Sequence, residues 1–470
     1  MAPSPTPRAG EMGPDAITRA VPTGLTSAVM RTPFALTGLL LLTLVVLPSP
    51  SATASSCSGR LSVPGAAYQE QARLPELTTA GTVASGHTDP ADWAGLTPAA
   101  LPTPSGVPGI QLDGYFPDTS ATNTNHGWNH DSQFVVRLPD RWNGGVVVSG
   151  TPGNREQYAN DRAISDWVLS RGYAFAATDK GNTGLGFFTD GKRPGDAVAE
   201  WNSRLTQLTR AVKVVAAQRY CHPPSRTIAT GLSNGGYLVR WQLENHPELY
   251  DGGVDWEGTL WTTAGPNLLT VLPSALRAYP RGDQAAMHAA GFPAGSEFLW
   301  DYHYRYYWDL TQRVYREEVD PAYDGATQAG TPFCVSGTPA CDADYDYASR
   351  PADVRKAVSR IALTGRIGKP LLTVHGTLDV LLPITEDSDV YARMVHAAGR
   401  DKLFRYYRVE GGNHVDSLFD TFPDQLRPLT PCHRSAFVAL ESWLSHDAAP
   451  PRSATLPRPA GDLVTTCPLR

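Results

Sequence analysis

One serine in this chain lies between two glycines at the junction of a predicted strand and a predicted helix. The segment is RTIATGLSNGG (226–236), in which Gly231 and Gly235 flank Ser233. A serine on such a turn has a strained backbone, so the residues two before and two after it must be nearly free of side chain. The helix that follows directs its positive end at the serine, where negative charge develops during acyl transfer. The spacing therefore predicts that Ser233 is a nucleophile.

A serine hydroxyl needs a base to take its proton, and the base works best when a carboxylate fixes its tautomer. Asp379 directly follows a predicted buried strand (371–374), and His414 follows the predicted strand 403–409 in a glycine-rich turn. Because the carboxyl ends of parallel strands meet at one edge of a sheet, we expect both side chains beside Ser233. The three residues are thus the predicted nucleophile, acid and base.

Residues of the same types lie near these positions and remain alternatives. His375 also stands at a strand end, although the Gly-Gly-Asn-His turn suits a moving base better. Asp387 or Asp389 would replace Asp379 only by acting from the helix that follows. The placement at strand ends favours Asp379 and His414.

Acyl transfer also needs two backbone N–H groups directed at the developing oxyanion. Asn234, the residue after the serine, is expected to supply one of them. The other is expected from the loop after the apolar strand 145–150, where Pro152 has no N–H and leaves Thr151 or Gly153 as the donor.

Charge and composition exclude some functions. The 470 residues have a formal net charge of −6, with 18% charged residues and no basic block, so nucleic acid is not an expected partner. Glycine (43) and proline (40) are abundant, which is typical of a loop-rich protein outside the cytoplasm.

The first 54 residues resemble a signal peptide. An apolar run of 14 residues (34–47) follows Arg31 and precedes an Ala-Thr-Ala cleavage site at 52–54. The run is short for a membrane span, although an anchor is the alternative, and Met30 is an alternative start. We expect a secreted protein without a stable membrane anchor.

The six cysteines all follow the proposed cleavage site, which predicts up to three disulfides. Cys334 and Cys341, which enclose a short Gly/Pro loop, are the predicted pair. A zinc site at Cys221-His222 and Cys432-His433 is the alternative, but neither pair has C-x-x-C spacing, so no metal and no cofactor are predicted.

Strands alternate with helices along most of the chain, which predicts an α/β fold with a mostly parallel, doubly wound sheet. The alternation stops after residue 257 and resumes near residue 366, so the interval is predicted to be a large cap insertion. The predicted organisation is a leader (1–54), an extended arm (55–110), a first core part (111–257), the cap (258–365), a second core part (366–447) and a Pro-rich tail (448–470).

The predicted cap contains a dense aromatic segment, FLWDYHYRYYW (298–308). Most of these rings are expected in the core of the cap. We expect a few to face the substrate, with Trp300, Tyr304 and Trp308 as the candidates.

The Gly-Leu-Ser-Asn-Gly-Gly, His-Gly-Thr-Leu-Asp and Gly-Gly-Asn-His motifs, in that order, resemble the α/β-hydrolase superfamily over residues 111–447. Within it, the cap, the export signal and the TDKGNTG segment (178–184) resemble the tannase/feruloyl esterase group. The Ser-Asn-Gly-Gly turn is also similar to 3-hydroxybutyrate oligomer hydrolases and related polyester depolymerases. The tannase group usually has a cysteine before the serine and another after the histidine, whereas this chain has Leu232 and Val415.

The resemblance and the triad predict a secreted serine esterase acting on a small or oligomeric ester, such as a hydroxyalkanoate oligomer or an aromatic acid ester. The alternatives are a secreted peptidase or amidase with the same triad and a non-catalytic polymer-binding protein. A peptidase acting on free N-termini would need acidic residues near the cap, for which the candidates are Asp301, Asp309, Glu317 and Glu318.

Overall fold

The structure is a computed structural model that describes residues 60–323 and 342–469. The predicted leader (1–54), Cys57 and the predicted pair Cys334 and Cys341 lie outside the described residues. No helix in these ranges is long and apolar enough to cross a membrane.

A ten-stranded sheet forms the centre of the structure, with the order β1-β2-β3-β5-β4-β6-β7-β8-β9-β10. Strands β4 to β10 run parallel to one another, whereas β1, β2 and β3 form an antiparallel edge that joins at β5. The strands are β1 (Tyr68–Leu74), β2 (Gly109–Tyr115), β3 (Gln133–Pro139), β4 (Gly145–Gly150), β5 (Ala174–Thr178), β6 (Arg226–Leu232), β7 (Gly252–Trp256), β8 (Leu371–Gly376), β9 (Phe404–Val409) and β10 (Ala454–Leu456).

Helices cover both faces of the sheet. They are α1 (Thr79–Thr82), α2 (Asp166–Ser170), α3 (Asp196–Tyr220), α4 (Asn234–Asn245), α5 (Leu268–Ala278), α6 (Gln284–Ala289), α7 (Trp300–His303), α8 (Asp309–Val319), α9 (Ala352–Ser359), α10 (Ser388–Ala397) and α11 (Thr430–His446). Short 3-10 and π turns connect several of them.

The near-continuous apolar sequence of β4 follows from burial on both faces. Val146 and Val148 pack into the core that contains α3 and α4, whereas Val147 packs into the opposite core with α2 and α11. All three are fully buried. A strand between two helical layers has no solvent face, so it does not alternate polar and apolar residues. The predicted doubly wound α/β fold is confirmed.

Helices α5 to α9 lie between β7 and β8, in the interval where the sequence predicted an insertion. The rest of the connection from β7 to β8 contains no strand among its described residues. Helix α8 packs against α5 and also contacts α3, so this helical segment is joined to the core of the fold.

The described parts of the predicted arm (55–110) and of the predicted tail (448–470) both contribute strands. The predicted extended arm (55–110) contributes strand β1, which pairs antiparallel with β2 along its whole length. The Pro-rich tail contributes β10, which pairs parallel with β9, and Cys467 forms a disulfide with Cys432. Each of the two segments is therefore joined to the sheet through one strand.

Candidate active site

Ser233 lies between the end of β6 and the start of α4 with φ 58° and ψ −119°, a conformation that is strained for a residue with a side chain. The two glycines are required by close backbone approaches. A Cβ on Gly231 would lie 2.5 Å from the carbonyl carbon of Gly235, and a Cβ on Gly235 would overlap the carbonyl oxygen of Gly150. The sharp turn leaves the serine side chain partly exposed at the carboxyl edge of the sheet.

The structure brings Ser233, His414 and Asp379 together. The Nε2 atom of His414 lies 3.0 Å from Ser233 Oγ, and its Nδ1 atom lies 2.7 Å from Asp379 Oδ2. Asp379 is fully buried and His414 is nearly so. The histidine thus has one ring nitrogen on the hydroxyl and the other on a carboxylate, which is the arrangement that activates a serine.

The carboxylate of Asp379 is fixed by the loop that follows β8. Its Oδ1 accepts hydrogen bonds from the N–H groups of Leu381 and Leu382, both at 2.8 Å. Burial by itself would raise the pKa of Asp379, but His414 and His375 outweigh that effect and hold the pKa well below its usual range. Asp379 is therefore ionised and can stabilise an imidazolium.

The alternative base, His375, is buried beneath this group rather than beside the serine. Its Nε2 lies 3.2 Å from Asp379 Oδ2, and its Nδ1 lies 2.6 Å from Ser388 Oγ. Glu257 lies on the same side, where its Oε2 accepts the N–H of Gly376. Burial, and then the charge of Asp379, raise the pKa of Glu257 well above its usual range. His375 and Glu257 are therefore buried beneath Asp379.

The alternative acids bind arginines away from His414. Asp387 accepts a hydrogen bond from Arg240, and Asp389 accepts one from Arg408. Each carboxylate is therefore engaged in another ion pair.

Of the expected oxyanion donors, Asn234 and Gly153 line one cavity together with Ser233. The side chain of Asn234 donates to the carbonyl oxygen of Gly153 at 3.0 Å, which ties the start of α4 to the loop after β4. Thr151 is buried beneath that loop, where its hydroxyl donates to the carbonyl of Arg155 and accepts from Lys180. Burial lowers the pKa of Lys180 to about 7.

The cavity beside Ser233 has a volume of ≈ 220 Å³. Its wall is mostly aliphatic and aromatic, with residues from the core, from the loop after β8 and from the helical segment. The apolar part of the lining comprises Leu96, Pro152, Leu185, Phe187, Leu232, Leu268, Leu310, Val314, Leu381, Leu382 and Val415. Among the described residues that line it, Arg155 is the one Lys or Arg, and there is no Asp or Glu.

The aromatic residues expected at the substrate lie elsewhere. Trp300 and Trp308 are buried in the core, where their indole N–H groups donate to Ser296 Oγ and to the carbonyl of Val380. Tyr304 packs against Tyr279 at the surface of that core. A π-helical turn over Tyr304–Trp308 changes which side chains share a face relative to a regular α-helix, and Tyr307 lines the cavity instead.

The acids proposed for recognising a free N-terminus are not in the cavity wall either. Asp301, Asp309 and Glu317 pair with arginines on the same stretch of helix, and Glu318 accepts the backbone N–H of Val198.

The two cysteines considered as zinc ligands are both disulfide-bonded. His433 lies 2.6 Å from Thr230 Oγ1, and His222 contacts a backbone carbonyl. Cys221 and Cys432 are therefore not available as thiolate ligands.

Two family models match parts of the chain, and no curated protein matches it. The model of 3HB-oligomer hydrolase matches residues 325–469, which include Asp379 and His414. The model of the prolyl oligopeptidase family matches residues 164–264, which include Ser233. Each model covers less than half of the chain.

Solved structures match over most of the chain. Feruloyl esterase B from Aspergillus oryzae has a TM-score of 0.51 at 14% identity, covering 83% of this chain and 89% of that one. An esterase from Aspergillus oryzae has a TM-score of 0.52 at 14% identity, covering 85% and 91%. The fold is that of the α/β-hydrolases. Tannin acyl hydrolase from Aspergillus niger is also similar, with a TM-score of 0.46 at 14% identity over 80% of this chain and 89% of that one. Together the family models and the fold support an ester hydrolase.

Proposed function

We propose that this α/β-hydrolase is an exported serine esterase that uses Ser233, His414 and Asp379 as its catalytic triad. The observation that carries the proposal is the continuous hydrogen-bonded chain from Ser233 Oγ through both ring nitrogens of His414 to the buried carboxylate of Asp379. Ser233 and His414 line the cavity at the carboxyl edge of the sheet, where ligands of open α/β sheets bind.

In the proposed reaction, His414 takes the proton of Ser233 as the hydroxyl oxygen attacks the ester carbonyl carbon. The N–H groups of Asn234 and Gly153 stabilise the oxyanion, since both residues line the cavity whereas Thr151 lies below it. His414 then gives its proton to the leaving alcohol, and an acyl-enzyme forms. Water attacks the acyl-enzyme with His414 as the base again, which releases the acid and restores the serine. Asp379 stabilises the imidazolium throughout.

The cavity supports an ester with an apolar acyl or alcohol part of modest size. Its wall is mostly aliphatic, with Phe187, Tyr307 and Tyr315 as aromatic members. Hydroxyalkanoate oligomers and aromatic acid esters remain the proposed substrates, because the chain is similar to a 3HB-oligomer hydrolase and has the fold of a feruloyl esterase. In this proposal the helical segment between β7 and β8 acts as a cap, because α8 contributes Leu310, Val314 and other residues to the cavity wall.

Export is part of the proposal because of the leader-like sequence and the disulfide-bonded cysteines. Cys432 and Cys467 are bonded to each other, and Cys221 is also disulfide-bonded. Disulfides persist in oxidising compartments, which supports a location outside the cytoplasm.

The direct test is hydrolysis of p-nitrophenyl butyrate by the purified mature protein and by Ser233→Ala. We expect the variant to lose at least about a thousand-fold in kcat, because the nucleophile is gone. Ser225→Ala is the matched control, since Ser225 lies before β6 and its hydroxyl donates to the carbonyl of Gly144. Equal rates for Ser233→Ala and the parent would refute the assignment.

A second candidate is a peptidase or amidase with the same triad, which the match to the prolyl oligopeptidase model favours. An ester and the matching p-nitroanilide separate the two functions. A much higher kcat/KM on the ester supports the esterase, whereas comparable values on both substrates support the amidase. A non-catalytic polymer-binding protein would turn over neither.

A further inference from the structure

Arg155 stands out in the wall of the cavity because the described lining includes no acidic residue. It lies in the loop after β4, two residues beyond the proposed oxyanion donor Gly153. The other described lining residues are apolar or neutral, apart from His414. Arg155 is therefore a cationic residue in a wall whose described members include no carboxylate.

The guanidinium is held from one side only. Its Nη1 donates to the backbone carbonyl of Asp92 at 2.9 Å. Within residues 60–323 and 342–469, the Nε and Nη2 atoms have no hydrogen-bond acceptor, and no carboxylate lies within 4.0 Å of the group. The edge formed by Nε and Nη2 is the part of arginine that binds a carboxylate with two parallel hydrogen bonds.

The surroundings of Arg155 leave its charge incompletely balanced. Burial lowers the pKa of Arg155, although the group stays protonated, as arginines do in proteins. Tyr307, Glu156 and Asp92 act in the opposite direction, but the two acids do so without an ion pair. A half-buried cation of this kind gains from an anionic partner that the protein itself does not supply.

We propose that Arg155 binds a free carboxylate on the substrate, so that the enzyme prefers esters that also contain a carboxylic acid group. This inference rests on the proposed esterase function and adds the substrate class to it. In the bound state, the Nε–Nη2 edge of Arg155 pairs with the carboxylate while the ester group lies at Ser233. A linear hydroxyacid oligomer with a free acid end has both groups.

An alternative role for the same cation is to stabilise the oxyanion from a distance, since Arg155 shares a loop with Gly153. That role predicts an equal effect on all esters, whether or not they contain a carboxylate. The experiment must therefore compare two ligands that differ only in this group.

The probes are the linear dimer of 3-hydroxybutyrate as its free acid and as its primary amide. Each is measured as a competitive inhibitor of p-nitrophenyl butyrate hydrolysis at pH 7.5, which reports binding whether or not the probe is turned over. For the parent enzyme we expect the acid to bind at least about ten-fold more tightly than the amide, as expected for charge-assisted hydrogen bonds.

The variants are Arg155→Met, Arg155→Lys and the control Arg141→Met, which removes an exposed arginine and changes the net charge equally. We expect the preference for the acid to fall to about one in Arg155→Met and to an intermediate value in Arg155→Lys, whose ammonium lacks the planar fork. Arg141→Met is expected to keep the preference of the parent. If Arg155→Met does not fold, Arg155→Lys still tests the proposal.

Four results are distinguishable. A parent enzyme that binds acid and amide equally overturns the proposal, as does an acid preference that survives in Arg155→Met and Arg155→Lys. An equal loss of binding for acid and amide shows that Arg155 does not recognise the carboxylate and also overturns the proposal. Absence of p-nitrophenyl butyrate hydrolysis and of covalent labelling at Ser233 would instead refute the proposed function itself.

Discussion

Replacing Asp379 with asparagine tests the acid of the triad while keeping its hydrogen bonds to the loop after β8. The Oδ1 of the new amide can still accept from the N–H groups of Leu381 and Leu382. Its Nδ2 would then face His414 and His375, where Asp379 now presents Oδ2. The opposite amide orientation would set Nδ2 against two N–H donors. The substitution therefore removes the charge and the acceptor but keeps the loop.

The magnitude follows from the imidazolium that forms during the reaction. At an effective dielectric constant of about 20, opposite unit charges about 4 Å apart attract by about 4 kcal/mol, which corresponds to about a thousand-fold in rate. An amide that donates to His414 Nδ1 also selects the wrong tautomer, which raises the expected loss in kcat to about 10⁴-fold. KM is expected to change little, because Asp379 does not line the cavity.

The assay is steady-state hydrolysis of p-nitrophenyl butyrate, with thermal unfolding as a check of the fold. Asp389→Asn is the matched control, because Asp389 lies on α10 and pairs with Arg408 and Tyr406. It is expected to retain kcat within about two-fold. A folded Asp379→Asn enzyme with kcat within about ten-fold of the parent would refute the role assigned to Asp379.

Three further predictions concern the turn, the pH dependence and the disulfide. Gly235→Ala places a Cβ against the carbonyl oxygen of Gly150, so we expect the free energy of unfolding, measured in urea, to fall by about 1–3 kcal/mol and kcat to decrease. A fully stable and active variant would contradict the geometry of the turn. Burial raises the pKa of Glu318 to about 8, so between about pH 4.5 and 8 the folded state holds a proton that the unfolded state releases, and the folded protein loses stability as the pH rises. In urea titrations over that range, the stability of Glu318→Gln relative to the parent should therefore increase by at least about 2 kcal/mol. A difference that stays constant with pH would disprove the shift. Replacing both Cys432 and Cys467, which are 35 residues apart, with serine should lower the free energy of unfolding by about 2–4 kcal/mol while leaving the triad in place, and unchanged stability would argue against the disulfide.

The fold and the meeting of the three candidate residues could be predicted because each signal is local. Ser233 directly follows β6, whereas Asp379 and His414 lie three and five residues after the ends of β8 and β9. Parallel strands bring their carboxyl ends to one edge. Strand, turn and residue type are thus read within about ten residues of sequence. Their roles in catalysis are a proposal that rests on this placement.

The aromatic wall of the cavity could not be predicted in the same way. In the segment 298–308 almost every residue is large, so composition does not show which ring faces inward. The π turn at Tyr304–Trp308 shifts the side chains relative to a regular helix, and Tyr307 rather than Trp308 reaches the cavity. The choice depends on tertiary packing against the loop after β8.

Two strands were missed because their sequences show no alternating pattern. Strand β1, YQEQARL, is an edge strand with largely exposed or half-buried side chains, and β10 has only three residues. Edge strands pair through their backbone, so their side chains are weakly constrained. Arg155 was missed for a related reason, because a single arginine in a loop has no periodicity or motif to mark it.

Covalent labelling with a fluorophosphonate, followed by peptide mass spectrometry, tests the central claim most directly. We predict one adduct on Ser233 in the parent protein, no adduct on any serine in Ser233→Ala, and a rate of labelling at least about a hundred-fold lower in His414→Ala, since His414 Nε2 lies 3.0 Å from the hydroxyl. A folded parent protein that is not labelled, or one labelled at another serine with the rate retained in Ser233→Ala, would contradict the account.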